Sequence, residues 1–273
     1  MRNRKKKTDP IFLFSVFLCV LLTCVLAVTL FVFGENGYIN TRPGGSGTPS
    51  DSSEELQEQQ RKEKQKLLEE YRRLLASPYL TVVDSDHPVT KDAENLTEAD
   101  GTVLLEPEAA EQLRNLLAAV REVGIDVVVT AGFRTEEEQQ KILDKTCENL
   151  ISAGYSAEQA RLAAIRITEV PERSEHRTGL AVDLTQKESL SVRDAFASDL
   201  YAFLQQNAAK FGFVFSYTEK NAALTGMDAN PFHLRYIGSA ETATDLTEKD
   251  VTLAAYLSFL QASVASLEAE LAE

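Results

Sequence analysis

The hydropathy pattern divides the chain before any single residue matters. Residues 11–33 form 23 consecutive positions without a charged side chain. As a helix that run is about 35 Å long, enough to cross a hydrocarbon core of roughly 30 Å. Arg2, Arg4, Lys5, Lys6 and Lys7 precede it and no basic residue follows closely, which orients the N-terminus toward the cytoplasm. The run reads as an uncleaved single-pass membrane anchor, with residues 1–10 as a basic cytoplasmic tip and the chain from Gly34 onward extracytoplasmic. A cleaved signal peptide is the alternative, and it would usually carry a shorter apolar region and a small-x-small cleavage site.

Residues 34–53 are rich in Gly, Ser, Pro, Asn and Thr and read as a flexible linker. Ser52 and Glu55 match a capping box, so a charged stalk helix is predicted over 54–76. Its apolar residues (Leu67, Leu68, Tyr71, Leu74, Leu75) gather in the second half, which could pack on a domain. The heptads are too few to support an oligomer. Beyond Pro78 the texture is globular. Leu80–Val83 is strand-like, and Leu113, Leu116, Leu117 and Val120 fall at i, i+3, i+4, i+7 on a helix that Gly124 closes. A strand is predicted at Ile125–Ala131. Helices are predicted from the Thr135/Glu138 capping box to Leu150 and from Ser156 to Ile167. Gly179–Leu184 is a strand, 191–210 a long helix with Leu200, Phe203 and Leu204 inward, and Phe213–Tyr217 and His233–Ile237 the last strands. Residues 247–272 close the chain as a helix with Leu257, Leu260, Val264, Leu267 and Leu271 on one face.

Composition narrows the function classes. The net charge is −14, and with the basic tip set aside the remainder holds 23 basic against 41 acidic side chains, a net of −18. A body so acidic is a poor ligand for phosphate backbones, so nucleic-acid binding is excluded as an expectation. Cys19 and Cys24 lie in the apolar run, which leaves Cys147 alone in the body. Neither an intrachain disulfide nor a cysteine-rich zinc cluster can form there, so a metal site must use carboxylates and His87, His176 or His233. Cys147 sits in a predicted helix and reads as packing, and His87, ahead of Pro88, reads as structural.

The segment Ser174-Glu-His176-Arg-Thr-Gly179-Leu-Ala181-Val-Asp183 concentrates chemistry-bearing types. On a strand from Gly179, alternate residues share a face, so Gly179 and Ala181 leave open space before the Asp183 carboxylate. His176 could fold toward that carboxylate, and the strand Pro231-Phe-His233-Leu-Arg-Tyr236 could bring a second imidazole. Two histidines and a carboxylate make a catalytic zinc set with a fourth position for water. The plain alternative is that each histidine separately satisfies a hydrogen bond in the core.

Ser174–Asp183 matches the Ser-x-His-x-x-Gly-x-Ala-x-Asp signature of VanY-type D-alanyl-D-alanine carboxypeptidases, zinc peptidases of the Hedgehog/DD-peptidase fold. Pro231–Gly238 resembles the family's Pro-Trp-His-x-Arg-Tyr-Val-Gly, and Ala131-Gly-Phe-Arg134-Thr its Ser-Gly-Tyr-Arg-Ser. The resemblance spans roughly residues 77–258, with 259–273 the end of the last helix. It implies an α+β domain, a small and mostly antiparallel sheet with packed helices behind one transmembrane helix. It also implies one Zn²⁺ per chain on His176, Asp183 and His233. Arg134 would stabilise charge at the scissile carbonyl, and Ser174 and Gln139 would help to bind substrate. The implied reaction is release of D-Ala from peptidoglycan stem peptides, on the cell-wall side of the membrane.

One position departs from the pattern. The family carries a general-base Glu three residues before the last ligand, where this chain has Asn230. An amide orients water but takes no proton, and general-base catalysis contributes about 10²–10⁴ in rate. Three outcomes follow: Asp228 reaches the water instead, the zinc hydroxide acts slowly unaided, or the domain binds wall peptide without cutting it.

Overall fold

Helix α1 (Pro49–Leu75) begins three residues ahead of the predicted Ser52 cap. Proline suits a first helical turn because its missing N–H is one of those left unpaired there. The computed structural model describes residues 49–186 and 191–273, so the basic tip, the apolar run 11–33 and residues 34–48 of the linker lie outside the described residues. Among the described residues no single helix is long and apolar enough to cross a membrane.

Leu80–Val83 is not the expected strand. Pro78–Leu80 is a 3₁₀ turn, and the chain beyond it is irregular. The carbonyl oxygens of Tyr79 and Thr81 accept from the buried Arg235 guanidinium instead of from a neighbouring strand. Strands β1 (Thr97–Asp100) and β2 (Val103–Leu105) form a hairpin that the polar sequence around them concealed. Gly101 turns it with a φ of +59°.

Helix α2 (Pro107–Glu122) follows, with the Glu106 carboxylate accepting from the N–H groups of Glu108 and Ala109. Its predicted stripe is buried: Leu113, Leu116, Leu117 and Val120, joined by Ala109 and Ala110. Fully burying a leucine or valine contributes about 1.5–3 kcal/mol, so this helix anchors the core. Next come β3 (Val127–Ala131), α3 (Glu136–Ser152) and α4 (Ala157–Ile167). Reciprocal capping boxes start both helices, at Thr135/Glu138 and Ser156/Gln159.

Strand β4 (Ala181–Gln186) is followed by α5 (Val192–Ala195) and α6 (Asp199–Asn207), where one helix over 191–210 was expected. The break comes at Ser198, whose hydroxyl accepts from the Tyr201 N–H and starts α6 afresh. Strand β5 (Phe213–Phe215), a short α7 (Ala222–Thr225) and β6 (His233–Tyr236) lead to α8 (Ala240–Lys249) and α9 (Leu253–Ala272). The single C-terminal helix predicted from 247 is thus two, because Asp250 takes a left-handed φ of +52° and Thr252 caps α9. Helix α9 packs along α1: the Tyr71 and Phe259 rings meet edge to face, and Lys64–Glu270 and Arg72–Glu268 pair at 2.7 Å. Both ion pairs are exposed, so each contributes at most about 1 kcal/mol.

The main sheet is antiparallel throughout, in the order β3-β4-β6-β5. Alternation divides its faces. Val182, Leu184, Leu234, Tyr236 and Phe213 point into the core shared with α2 and α6. Asp183 pairs with His233 and Ala181 with Arg235, so these four occupy the opposite face. The architecture is α+β with small antiparallel sheets, as expected.

Candidate metal centre

Three elements converge at the end of β4. The 3₁₀ turn Glu175–Thr178 carries His176, β4 carries Asp183, and β6 opens with His233. Register puts Asp183 directly across from His233 on one side and Ala131 on the other. Gly179 is not part of the strand and leaves no open space. It ends the 3₁₀ turn at φ +70°, where an added Cβ would lie 2.7 Å from Leu96. A residue with a side chain would both strain and clash there, so the glycine serves the turn that aims His176 rather than access to Asp183.

Asp183 Oδ2 lies 3.4 Å from His176 Nε2, and Asp183 Oδ1 lies 3.1 Å from His233 Nδ1. One atom from each of the three residues falls within 4.8 Å of the others. Both imidazoles are buried, their centroids 5.0 Å apart. Their outward nitrogens are taken. His176 Nδ1 is 2.7 Å from the Gly132 carbonyl oxygen, which can only accept, so Nδ1 carries the proton and Nε2 a lone pair. His233 Nε2 donates to Glu175 Oε2 at 3.0 Å and leaves Nδ1 facing Asp183. Orientation of a metal-binding histidine by a hydrogen bond from its other nitrogen is the usual supporting arrangement.

The electrostatics demand a positive charge in this gap. Burial alone would lower the His233 pKa, yet hydrogen bonds to Asp183 and Glu175 outweigh it and push the imidazole up to about 10. Burial would raise Asp183, but the attraction and hydrogen bonds of His176 and His233 hold it well below the carboxylate range. Without a cation, a proton on His233 supplies that charge. Three electron-pair donors of the N, N, O type match the protein ligand set of a catalytic Zn²⁺ site, whose fourth ligand comes from outside the protein.

Arg134 follows β3, and its N–H donates to the His176 carbonyl at 3.3 Å. Its Nη2 lies 2.9 Å from Asp183 Oδ2, and its Nη1 donates to Gln139 Oε1 at 3.3 Å. Gln139 is buried and donates through Nε2 to the Glu169 carbonyl at 2.7 Å, so it braces Arg134 rather than opening to solvent. Ser174 is fully buried, and its hydroxyl donates to Glu169 Oε2 at 2.6 Å. Asn230 closes a turn: its Oδ1 accepts from the Phe232 N–H and its own N–H donates to the Tyr217 carbonyl, both at 3.0 Å. Asp228 is half-buried and ion-paired with Arg166 at the end of α4, so the structure does not bring it to the three-residue cluster. His87 is an exposed partner of Asp84, and Cys147 is half-buried in α3.

Sequence reasoning passed over a second acidic cluster. Glu169 and Glu175, both buried, flank His233 on its Nε2 side. Glu169 accepts from Ser174 and from the Tyr217 hydroxyl, each at 2.6 Å, and the Tyr217 ring lies 5.1 Å from the His233 ring. Burial and the Glu169 charge push Tyr217 well above its ordinary pKa, so it stays a neutral donor. Glu175 takes the Ser216 hydroxyl at 2.6 Å and lies 3.5 Å from Arg235. Burial would raise its pKa, but Arg235 and His233 hold it down at about 2. Glu175 stands inside the Ser-x-His motif, which was its only signal. Nothing in the spacing marked Glu169 or Tyr217.

The family model described as VanY, D-alanyl-D-alanine carboxypeptidase, matches residues 102–239. A D-alanyl-D-alanine carboxypeptidase of Enterococcus faecalis is 30% identical over 179 residues, and the match covers 65% of this chain and 65% of that relative's length. Two solved structures share 31% identity. One is VanYB in complex with D-alanine-D-alanine, with a TM-score of 0.59 over 66% of this chain and 97% of the other. The second is a point mutant of the vancomycin-resistance D,D-pentapeptidase VanY from a VanB-type cassette, in complex with Zn(II), with a TM-score of 0.60 over 66% and 99%.

Proposed function

The chain belongs to the VanY family of D-alanyl-D-alanine carboxypeptidases, and from that premise we propose that it is a zinc-dependent peptidase releasing D-Ala from peptidoglycan stem peptides. The observation that carries this reading is the trio of Nε2 of His176, Asp183 and Nδ1 of His233, with both far ring nitrogens already engaged. A zinc ion held there would supply a Lewis acid and a water with its pKa lowered toward about 7. Arg134, braced between Asp183 and Gln139, would hold the negative charge that develops at the scissile carbonyl. Ser174 and Gln139 would then support the pocket through Glu169 and Arg134, instead of binding the peptide themselves.

A second reading has its own support. At position 230 an amide replaces a carboxylate, and Asp228 is engaged with Arg166. A chain with this site could hold wall peptide and cut it weakly or not at all.

Residues 11–33 would anchor the chain with the domain on the cell-wall side. Protease added to intact cells should then remove the domain, and protection of the domain would refute that topology. The activity test incubates the zinc-loaded protein with D-Ala-D-Ala-ended pentapeptide and measures free D-Ala against a His176→Ala control. Release above the control supports the peptidase. No release together with saturable peptide binding supports the second reading.

A further inference from the structure

The far side of His233 holds a carboxylate that the reaction does not need. Glu175 sits in the 3₁₀ turn between Ser174 and His176, with its side chain turned under β6 and only 7% of the residue exposed. Alternation on β6 puts His233 and Arg235 on the same face, and the Glu175 carboxylate lies against both. Its Oε2 accepts from His233 Nε2 at 3.0 Å and from the Ser216 hydroxyl at 2.6 Å. Its Oε1 lies 3.5 Å from Arg235 Nη1, a buried nitrogen that has no hydrogen-bond partner. The other nitrogens of that guanidinium donate to the carbonyls of Tyr236 and Thr81, at 3.1 and 3.0 Å. The carboxylate is therefore held from two directions, by a hydroxyl and by a fixed positive charge, with one lone pair aimed at the imidazole.

Glu169 does not share this role. It stands 3.8 Å from His233 Nε2, and its two oxygens are taken by Ser174 and Tyr217. We infer that Glu175 is the positioning residue of the metal centre: it accepts the hydrogen bond from His233 Nε2–H and so turns the Nδ1 lone pair toward the cation. Arg235 and Ser216 hold Glu175 in place, and Arg235 leaves its Nη1 without a shorter partner as the cost of standing there. The inference rests on the zinc reading above. A hydrogen bond of this kind fixes ring orientation and raises ligand basicity, and its loss typically lowers metal affinity about 10–100-fold.

The test measures zinc affinity of the full-length protein by competition with a chromophoric chelator, for wild type, Glu175→Ala and Glu175→Gln. Glu175→Ala should bind zinc about 10–100-fold more weakly. Glu175→Gln, whose amide oxygen can still accept the Nε2 proton, should recover most of that loss. A merely structural carboxylate predicts no such rescue ordering once thermal melts show both variants folded. Nitrogen-resolved NMR of the zinc-loaded wild type should show a slowly exchanging proton on His233 Nε2 that moves upfield in Glu175→Gln. If Glu175→Ala does not fold, that proton decides. Its absence from wild type, or an unmoved resonance in Glu175→Gln, overturns the inference. Zinc binding by wild type with equal affinity in folded Glu175→Ala overturns it while the zinc reading stands. A wild type that takes up no zinc overturns the zinc reading as well.

Discussion

Replacing Gly132 with alanine perturbs the metal centre without touching any residue that would hold the ion. The Gly132 carbonyl oxygen fixes His176 Nδ1 at 2.7 Å. A Cβ at this position would stand 2.5 Å from Val103 Cγ1 and 2.6 Å from the Leu104 carbonyl oxygen. Val103 can turn aside, but Leu104 is held in the chain and its oxygen accepts from the Phe133 N–H at 2.8 Å. The strain therefore falls on the segment that carries the Gly132 carbonyl. Overpacking of this kind costs about 1–3 kcal/mol, and a domain of this size loses about 2–4 °C of melting temperature per kcal/mol. Melting of the metal-free protein should fall by about 2–12 °C on those figures. The displaced carbonyl should also loosen His176 and weaken zinc binding about 10–100-fold, read by chelator competition. Gly154→Ala is the control. Gly154 has a φ of +101° with nothing within 4 Å of an added Cβ, so stability falls and zinc affinity stays. Gly132→Ala with its melting point lowered but its zinc affinity intact would refute the orienting role of that carbonyl.

Further outcomes follow from the same geometry. Asn230→Glu should raise D-Ala release by about 10²–10⁴ if the amide is what limits hydrolysis, and an unchanged rate would show that proton removal is not limiting. In metal-free protein, Glu175 has its pKa depressed from 4.5 to about 2, so its stabilisation is present above pH 4.5 and is lost as pH falls toward 2. His233 is raised from 6.5 to about 10, so its stabilisation is full below pH 6.5 and is lost as pH rises toward 10. Denaturant midpoints should decline at both ends, and bound zinc should abolish the alkaline decline; an unchanged alkaline limb would contradict this. Arg177, 2% exposed, pairs with Asp92 and with Glu136 at 2.8 Å and donates to the carbonyls of Val89 and Pro171. Arg177→Ala should cost about 1–3 kcal/mol in urea unfolding, because it leaves the Pro171 carbonyl unpaired in the interior, and a loss under about 0.5 kcal/mol would contradict that assignment.

The amphipathic elements were legible because their periods are strong. The Leu113–Val120 stripe, the capping box at Thr135, the helix start at Ser156, and the strands around Asp183 and His233 all stand where pattern put them. The gathering of His176, Asp183 and His233 was legible for a similar reason. Two motifs claimed two of three histidines, and antiparallel register did the rest. What was hidden depended on tertiary partners. The carbonyls of Tyr79 and Thr81 serve Arg235 rather than a strand, and Thr97–Leu105 is too short and polar to declare a hairpin. Ser198 and Thr252 restart helices in mid-pattern through single hydroxyl caps. Ser174 and Gln139 look like ligand-binding residues in sequence because polar side chains in a motif carry no sign of burial. Their burial, and their hydrogen bonds to Glu169 and its carbonyl, show only in the fold.

The zinc centre is the claim on which the activity depends, and diffraction at the zinc absorption edge from zinc-soaked crystals tests it most directly. One anomalous peak should lie about 2.0–2.2 Å from His176 Nε2, His233 Nδ1 and an Asp183 oxygen, and it should vanish in His176→Ala. No peak among these atoms at saturating zinc, or a peak elsewhere in the domain, would contradict the account.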